Sequence, residues 1–209
     1  MLTLHRGTLL VRDPAAPSIT DGAVLVDGDR IAALGPYPEL ARAAGGARVR
    51  EWPGLITPGL ANPAGARLLE TLYHPDPREE LGTEPLAVAV PEAQLGGSAR
   101  RGLQRMLGFG TTAVAGPFTL PAVRTAVSRS GLAVLPGAGA GGGVGAGVEG
   151  GLDPLAGRRL AEAVHRVLVP GGPADLAVFA AGSVEEMEAA GAGCCVATVL
   201  GGRLVFRRR

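Results

Sequence analysis

The spacing of apolar positions changes twice along this chain. From residue 2 to residue 52 it follows a strand period, in Leu2 to Val11, Ala23 to Asp27, Arg30 to Leu34 and a short stretch around Val49 to Trp52. Asp27-Gly28-Asp29 separates two of these runs and supplies the positive φ that a tight hairpin needs. The same pattern returns near the other end, where Ala174 to Phe179 and Cys195 to Leu200 read as strands. Gly201-Gly202 then turns the chain into Arg203 to Phe206. The two ends are therefore expected to form one β domain, residues 1–53 with 170–209.

Between them, over residues 54–169, the apolar spacing lengthens to that of a helix. Ser98 is placed to cap a helix with Leu103, Met106 and Leu107 on one face, ending near Gly108 or Gly110. A strand over Thr111 to Ala115 follows, then a helix from Pro121 with Val123, Ala126 and Val127 turned inward and Gly131 as its stop. Leu132 to Leu135 is the next strand. With Leu55 to Leu60 as the opening strand, the order is β, α, β, α, β, the start of a parallel α/β unit. Asp153-Pro154 predicts a helix with Ala156, Leu160, Ala163, Val164 and Val167 as its apolar stripe. Ser183-Val-Glu-Glu186 predicts a capping box for a short helix ending at Gly191.

Residues 137–151 are dominated by glycine and read as a mobile linker, because ordering so much glycine costs backbone entropy. Gly137 to Gly142 matches the spacing of a dinucleotide fingerprint, but no helix start follows to hold a pyrophosphate.

Composition narrows the function classes. All 20 basic residues are arginine, which excludes a lysine Schiff base, a P-loop lysine and a carbamylated-lysine metal bridge. A formal net charge of +1 without a basic stripe gives no reason to expect nucleic acid or an anionic membrane as partner, and Arg207-Arg208-Arg209 reads as a solvated tail. No apolar run approaches the roughly 18 residues of a membrane span and no signal-peptide pattern opens the chain, so a cytoplasmic location is expected. The adjacent Cys194 and Cys195 read as buried or half-buried strand residues, with a strained vicinal disulfide as the alternative.

Six segments taken in order resemble the amidohydrolase superfamily, especially imidazolonepropionase-like and other cyclic-amidine or triazine hydrolases. They are Asp21-Gly-Ala-Val-Leu-Val, Arg30-Ile-Ala-Ala-Leu-Gly, Leu55-Ile-Thr-Pro-Gly-Leu, Phe109-Gly-Thr-Thr-Ala-Val, Pro170-Gly-Gly-Pro-Ala-Asp-Leu-Ala-Val-Phe and Val199-Leu-Gly-Gly-Arg-Leu-Val. The resemblance covers residues 1–136 and 154–207. It implies an α/β protein in which the terminal segments form a small β-sandwich, the composite domain, beside a (β/α)8 barrel. A full barrel needs about 250 residues. The implied architecture is therefore a truncated barrel remnant of about three parallel strands, with the glycine-rich linker bridging the missing part.

In that family Pro-Gly-Leu-x-Asn-x leads into a metal-binding His-x-His. Here Ala64 and Ala66 stand at those positions, and the chain holds only His5, His74 and His165. Zinc needs three or four N, O or S ligands. No metal site of the family type and no cofactor are expected.

Tyr73-His74-Pro75-Asp76-Pro77-Arg78-Glu79-Glu80 brings an imidazole and three carboxylates together after the first parallel strand. Its prolines favour a solvated connection, yet His74, Asp76, Glu79 and Glu80 are the catalytic candidates, since barrel chemistry sits at strand C-terminal ends. His165 reads as a boundary residue on its helix, His5 has no carboxylate or cysteine near it in sequence, and Ser128 and Ser130 lack a nucleophile elbow. The expected function is a catalytically degenerate amidohydrolase-like protein, a structural or regulatory subunit whose open sheet is covered by self-association or a protein partner. The alternative is an altered hydrolase of carbon-nitrogen bonds in cyclic amides or amidines, without metal or with a site completed across a subunit interface. A third reading is a retained ligand pocket between the β domain and the α/β region.

Overall fold

A computed structural model describes residues 2–137 and 151–208. Along the chain it forms β1 (Leu2–Leu10), β2 (Ile19–Thr20), β3 (Gly22–Asp27), β4 (Arg30–Pro36), α1 (Tyr37–Ala43), β5 (Arg48–Pro58) and β6 (Leu60–Asn62). Then come α2 (Gly65–Glu70), α3 (Glu92–Leu107), β7 (Thr111–Ala115), α4 (Pro121–Ser130) and β8 (Ala133–Leu135). The last elements are α5 (Leu160–Ala163), β9 (Leu176–Phe179), α6 (Val184–Ala190), β10 (Cys195–Leu200) and β11 (Arg203–Arg207). Residues 138–150, most of the glycine-rich run, lie outside the described residues.

Both ends of the chain enter one eight-stranded sheet, in the order β11-β10-β9-β5-β1-β3-β4, with β2 paired to β1. All its pairings are antiparallel except β1 with β5. Where the resemblance implied a β-sandwich, the terminal segments form one sheet, and it curls on itself. Its two outer hairpins meet, and a Cβ on Gly202 would collide with the carbonyl oxygen of Gly28. The loop before β9 fastens the edge, because Ile31 N–H donates to Gly172 O at 2.9 Å and Ala174 N–H donates to Asp29 O at 2.8 Å.

The curl encloses a core of Leu10, Val24, Val26, Ile31, Trp52, Ile56, Leu176, Val178 and Val199. Alternate residues of the same strands, Leu55, Ala177 and Phe179, face a second core with Leu155, Leu160 and Met187. β9 and the second half of β5, residues 54–58, are therefore covered on both faces, which is why these stretches carry few polar residues.

The expected opening strand over Leu55 to Leu60 is divided between two sheets. Residues up to Pro58 pair with β1 and β9, whereas Leu60–Asn62 pairs in parallel with β7, and β7 pairs in parallel with β8. Gly59 makes the crossing, and a Cβ there would clash with the Thr112 side chain. One face of the small sheet packs on α2, α3 and α4 through Leu68, Leu69, Leu103, Met106, Val114, Val123 and Val127. The inward face expected for α4 is observed, and Gly131 ends the helix with φ +79.

Three local expectations change. Ser98 is no cap, because α3 begins six residues earlier at Glu92; its Oγ accepts the backbone N–H of His74 at 2.9 Å inside the core. The helix expected from Asp153 shrinks to Leu160–Ala163, since Gly157 takes φ +67 and breaks it. Asp153 caps a turn instead, with Oδ1 accepting Leu155 N–H at 2.7 Å and Ala192 N–H at 3.1 Å. The terminal arginines are also engaged: Arg207 lies over the Trp52 ring at 5.7 Å and Arg208 donates to Gly193 O at 2.6 Å. The capping box expected at Ser183 forms in half: Ser183 Oγ accepts Glu186 N–H at 3.2 Å, but the Glu186 carboxylate accepts the N–H of Gly182 at 2.6 Å and not that of Ser183. Cys194 is half-buried and Cys195 buried, both as free thiols.

His5 lies in the pairing of β1 with β5. Its Nδ1 accepts Trp52 Nε1–H at 3.2 Å, and the two rings stack with centroids 6.1 Å apart. Burial, reinforced by Arg50, lowers its pKa from 6.5 to about 4. An unfolded chain binds this proton near 6.5 while the folded chain resists it, so the contribution is fully present above that pH and is lost as pH falls towards 4. Stability should drop by about 3 kcal/mol across that interval from His5 alone. Urea unfolding at pH 7, 6, 5 and 4 checks this, with a shallower pH slope expected in His5→Leu; an unchanged slope would count against a neutral buried His5.

Candidate functional site

The C-terminal ends of β6, β7 and β8 are where the chemistry of a parallel α/β unit is ordinarily built. At the end of β6 stands Asn62, 1% exposed. Its Oδ1 accepts the N–H of Ala64 at 2.9 Å and orders the turn into α2. Its Nδ2 donates to the carbonyls of Gly151 and Leu152, each at 3.2 Å, so the returning chain is held across the strand end. This amide is fully spent on backbone.

Ala64 and Ala66 flank Gly65, whose missing side chain leaves room for β7: a Cβ would sit 2.9 Å from Val114 Cβ and 3.0 Å from Ala115 O. Two methyl groups offer no ligand atom. At the next strand ends, Gly116 is followed by Pro117 through a cis peptide, and a Cβ on Gly137 would collide with Gly116 O. The residues present do not fit the metal that the family resemblance implies. Among the described residues, no three of His, Cys, Asp and Glu come together as a metal-holding group.

The segment from Tyr73 to Glu80 divides its polar groups between two environments. His74 is fully buried beneath α3, with Nε2 2.9 Å from Leu68 O and its own carbonyl accepting Arg101 Nε–H at 2.7 Å. Gly102 makes the space, since a Cβ there would approach His74 Nε2 to 2.6 Å. Burial holds the pKa of this imidazole below its ordinary value. The three carboxylates stay outside. Asp76 Oδ1 accepts Arg78 N–H at 3.1 Å and Glu79 Oε2 accepts Asp76 N–H at 3.0 Å, a reciprocal cap on a single 3-10 turn. Tyr73 donates its hydroxyl to Glu79 at 2.6 Å, and that carboxylate raises the phenol's pKa. Glu80 closes the turn in a left-handed conformation at φ 55. His74 is thus held in the core while Asp76 and Glu79 cap their own backbone.

The remaining reactive side chains are placed as packing groups. His165 follows α5 in a half-buried bend, where burial and then Arg166 lower its pKa. Burial pushes the Cys195 thiol up to about 11, away from the thiolate a nucleophile needs. Asn62 carries the strand-end geometry, and its role was not assigned from sequence. Its position in Pro-Gly-Leu-Ala-Asn was visible, but the partners that consume it are 89 and 90 residues away.

The fold is that of a mixed α/β protein whose terminal segments share one sheet and whose middle adds a small parallel sheet. A family model described as the imidazolonepropionase-like composite domain of bacteria matches residues 22–47, the segment carrying β3, β4 and α1. No curated protein matches the chain. Among solved structures, guanine deaminase from Bradyrhizobium japonicum is similar at 21% identity and a TM-score of 0.46, over 64% of this chain and 34% of that one. An adenosine deaminase from Xanthomonas campestris is similar at 22% identity and a TM-score of 0.46, over 64% and 33%. The ochratoxinase of A. niger gives 19% identity and a TM-score of 0.45, over 65% and 30%. The chain spans about a third of the length of these solved chains.

Replacing Asn62 by alanine should strip the tie between β6 and residues 151–152 and leave the N–H of Ala64 and the carbonyls of Gly151 and Leu152 without their side-chain partner. The expected loss is about 2 kcal/mol in denaturant unfolding. A change under about 0.5 kcal/mol, the range of ordinary surface substitutions, would contradict the bridging role.

Proposed function

We propose that this chain is a catalytically degenerate amidohydrolase-like protein that works as a structural or regulatory subunit. The small parallel sheet is read as the remnant of a barrel opening. The observation that carries this is the end of β6, where Ala64 and Ala66 bring methyl groups and Asn62 is consumed by the returning chain at Gly151 and Leu152. Catalysis by a bound metal needs ligands and an open coordination position, and this strand end supports neither. The composite-domain match at residues 22–47 supports the ancestry of the β portion.

The subunit reading rests on β8. This strand ends the small sheet, its other edge has no strand partner among the described residues, and Val134 at its middle is 54% exposed. Phe118, Val127 and Val134 line a shallow depression of about 280 Å³ beside it. An unpaired strand edge next to apolar side chains is ordinarily covered, here by a second copy or another protein.

Native mass and metal content measured on one preparation test the proposal. The expected result is a dimer or larger assembly, or a recovered protein partner, with substoichiometric zinc and iron. Val134→Asp should weaken that association about tenfold, equivalent to roughly 1.4 kcal/mol, by placing a charge on the covered edge. A strictly monomeric particle without a partner would overturn the subunit reading. Stoichiometric metal, or a cyclic-amidine hydrolysis lost in His74→Ala, would overturn degeneracy.

A further inference from the structure

At the opposite end of the small sheet from Asn62, the last turn of α4, the β10–β11 hairpin and the loop before β9 enclose a cleft of about 650 Å³. Four arginines, Arg30, Arg129, Arg166 and Arg203, line it with two aspartates, Asp29 and Asp175. Both carboxylates are already engaged. Asp175 accepts Gly201 N–H at 2.7 Å and lies 3.8 Å from Arg166, and Asp29 lies 3.6 Å from Arg30. The guanidiniums of Arg129 and Arg203 have no hydrogen-bond or ion-pair partner among the described residues.

We propose that this cleft binds a small phosphorylated molecule, with Arg129 and Arg203 as its principal anion contacts. Two guanidiniums without an ionic partner among the described residues, both lining one cleft, raise the local concentration of anions, and their planar forks match phosphate oxygens in pairs. The volume falls in the range of small-molecule sites, about 300–1,000 Å³. The lining contains no aromatic ring, so the site lacks a stacking surface for a nucleobase, and Leu200 and Val205 offer only a limited apolar floor. Those features select a compact phosphate or diphosphate ester with a non-aromatic body. Asp175 is a positioning residue: 12% exposed, it pins the hairpin that carries Arg203 through Gly201 and steadies Arg166. The site touches β8 only at Ala133 and does not include Val134 or the depression beside it, so its failure would leave the subunit reading untouched.

Inorganic pyrophosphate is the probe. At constant ionic strength it should raise Tm saturably in the unmodified protein. Arg129→Gln and Arg203→Gln, two exposed substitutions, should leave the Tm of the ligand-free protein in place and together weaken pyrophosphate binding about tenfold or more, with each single variant intermediate. Arg78→Gln, an exposed arginine outside the cleft, should bind as the unmodified protein does. The proposal is overturned by a Tm rise that the double variant reproduces. No saturable rise at millimolar pyrophosphate overturns it equally, as does a shift matched by chloride at the same ionic strength.

Discussion

The structure depends on β5 being held between β1 and β9. β1 reaches it in parallel from the start of the chain, and β9 reaches it antiparallel from a segment more than a hundred residues later. At the junction the backbone approach is close. Gly54 takes φ +146, and a Cβ there would run into Phe179 O, so only glycine lets the two strands come together. Ile56 then enters the curled-sheet core and Leu55 the second core, giving one strand both of the contacts that unite the terminal segments.

That arrangement fixes where the small sheet begins. Because β5 is held to Pro58, the chain has a single glycine in which to leave the large sheet, and Gly59 N–H donates to Asp175 O at 3.1 Å as it does so. Leu60 N–H then donates to Gly110 O at 2.9 Å, which sets the register of β6 against β7. The N-terminal ends of the small sheet are thereby placed beside the β10–β11 hairpin, and its C-terminal ends face the returning chain. The arginine-lined cleft and the closed strand end are two consequences of one crossing.

Much of this was legible in the apolar pattern. The strands of both terminal segments, the α4 face and the Ser183 cap follow from period and capping chemistry that act within a few residues. What the pattern did not show depends on distant partners. Ser98 reads as a cap because a serine before an apolar stripe ordinarily is one; its hydrogen bond to His74 joins residues 24 apart. The stripe from Ala156 to Val167 has helical spacing, yet Gly157 and Asp153 settle the backbone there as turns. His74 and its neighbouring carboxylates are adjacent in sequence and separated in space because prolines at 75 and 77 break the run and α3 accepts only the imidazole. The curling of one sheet into two facing layers is likewise invisible locally, since it needs Gly28 and Gly202 to meet.

Ala64 and Ala66 are more than absent ligands. Ala64 is half-buried against the core beneath α2, and its N–H is fixed by the same Asn62 that holds Gly151 and Leu152. At the same strand ends Gly65 and Gly137 make close backbone approaches, and Asn62 holds the chain at Gly151 and Leu152. A single histidine at either position would still leave a metal short of ligands, because among the described residues no three of His, Cys, Asp and Glu come together. On the proposed reading, the two alanines and the bridge from Asn62 to Gly151 and Leu152 belong to one arrangement of this strand end.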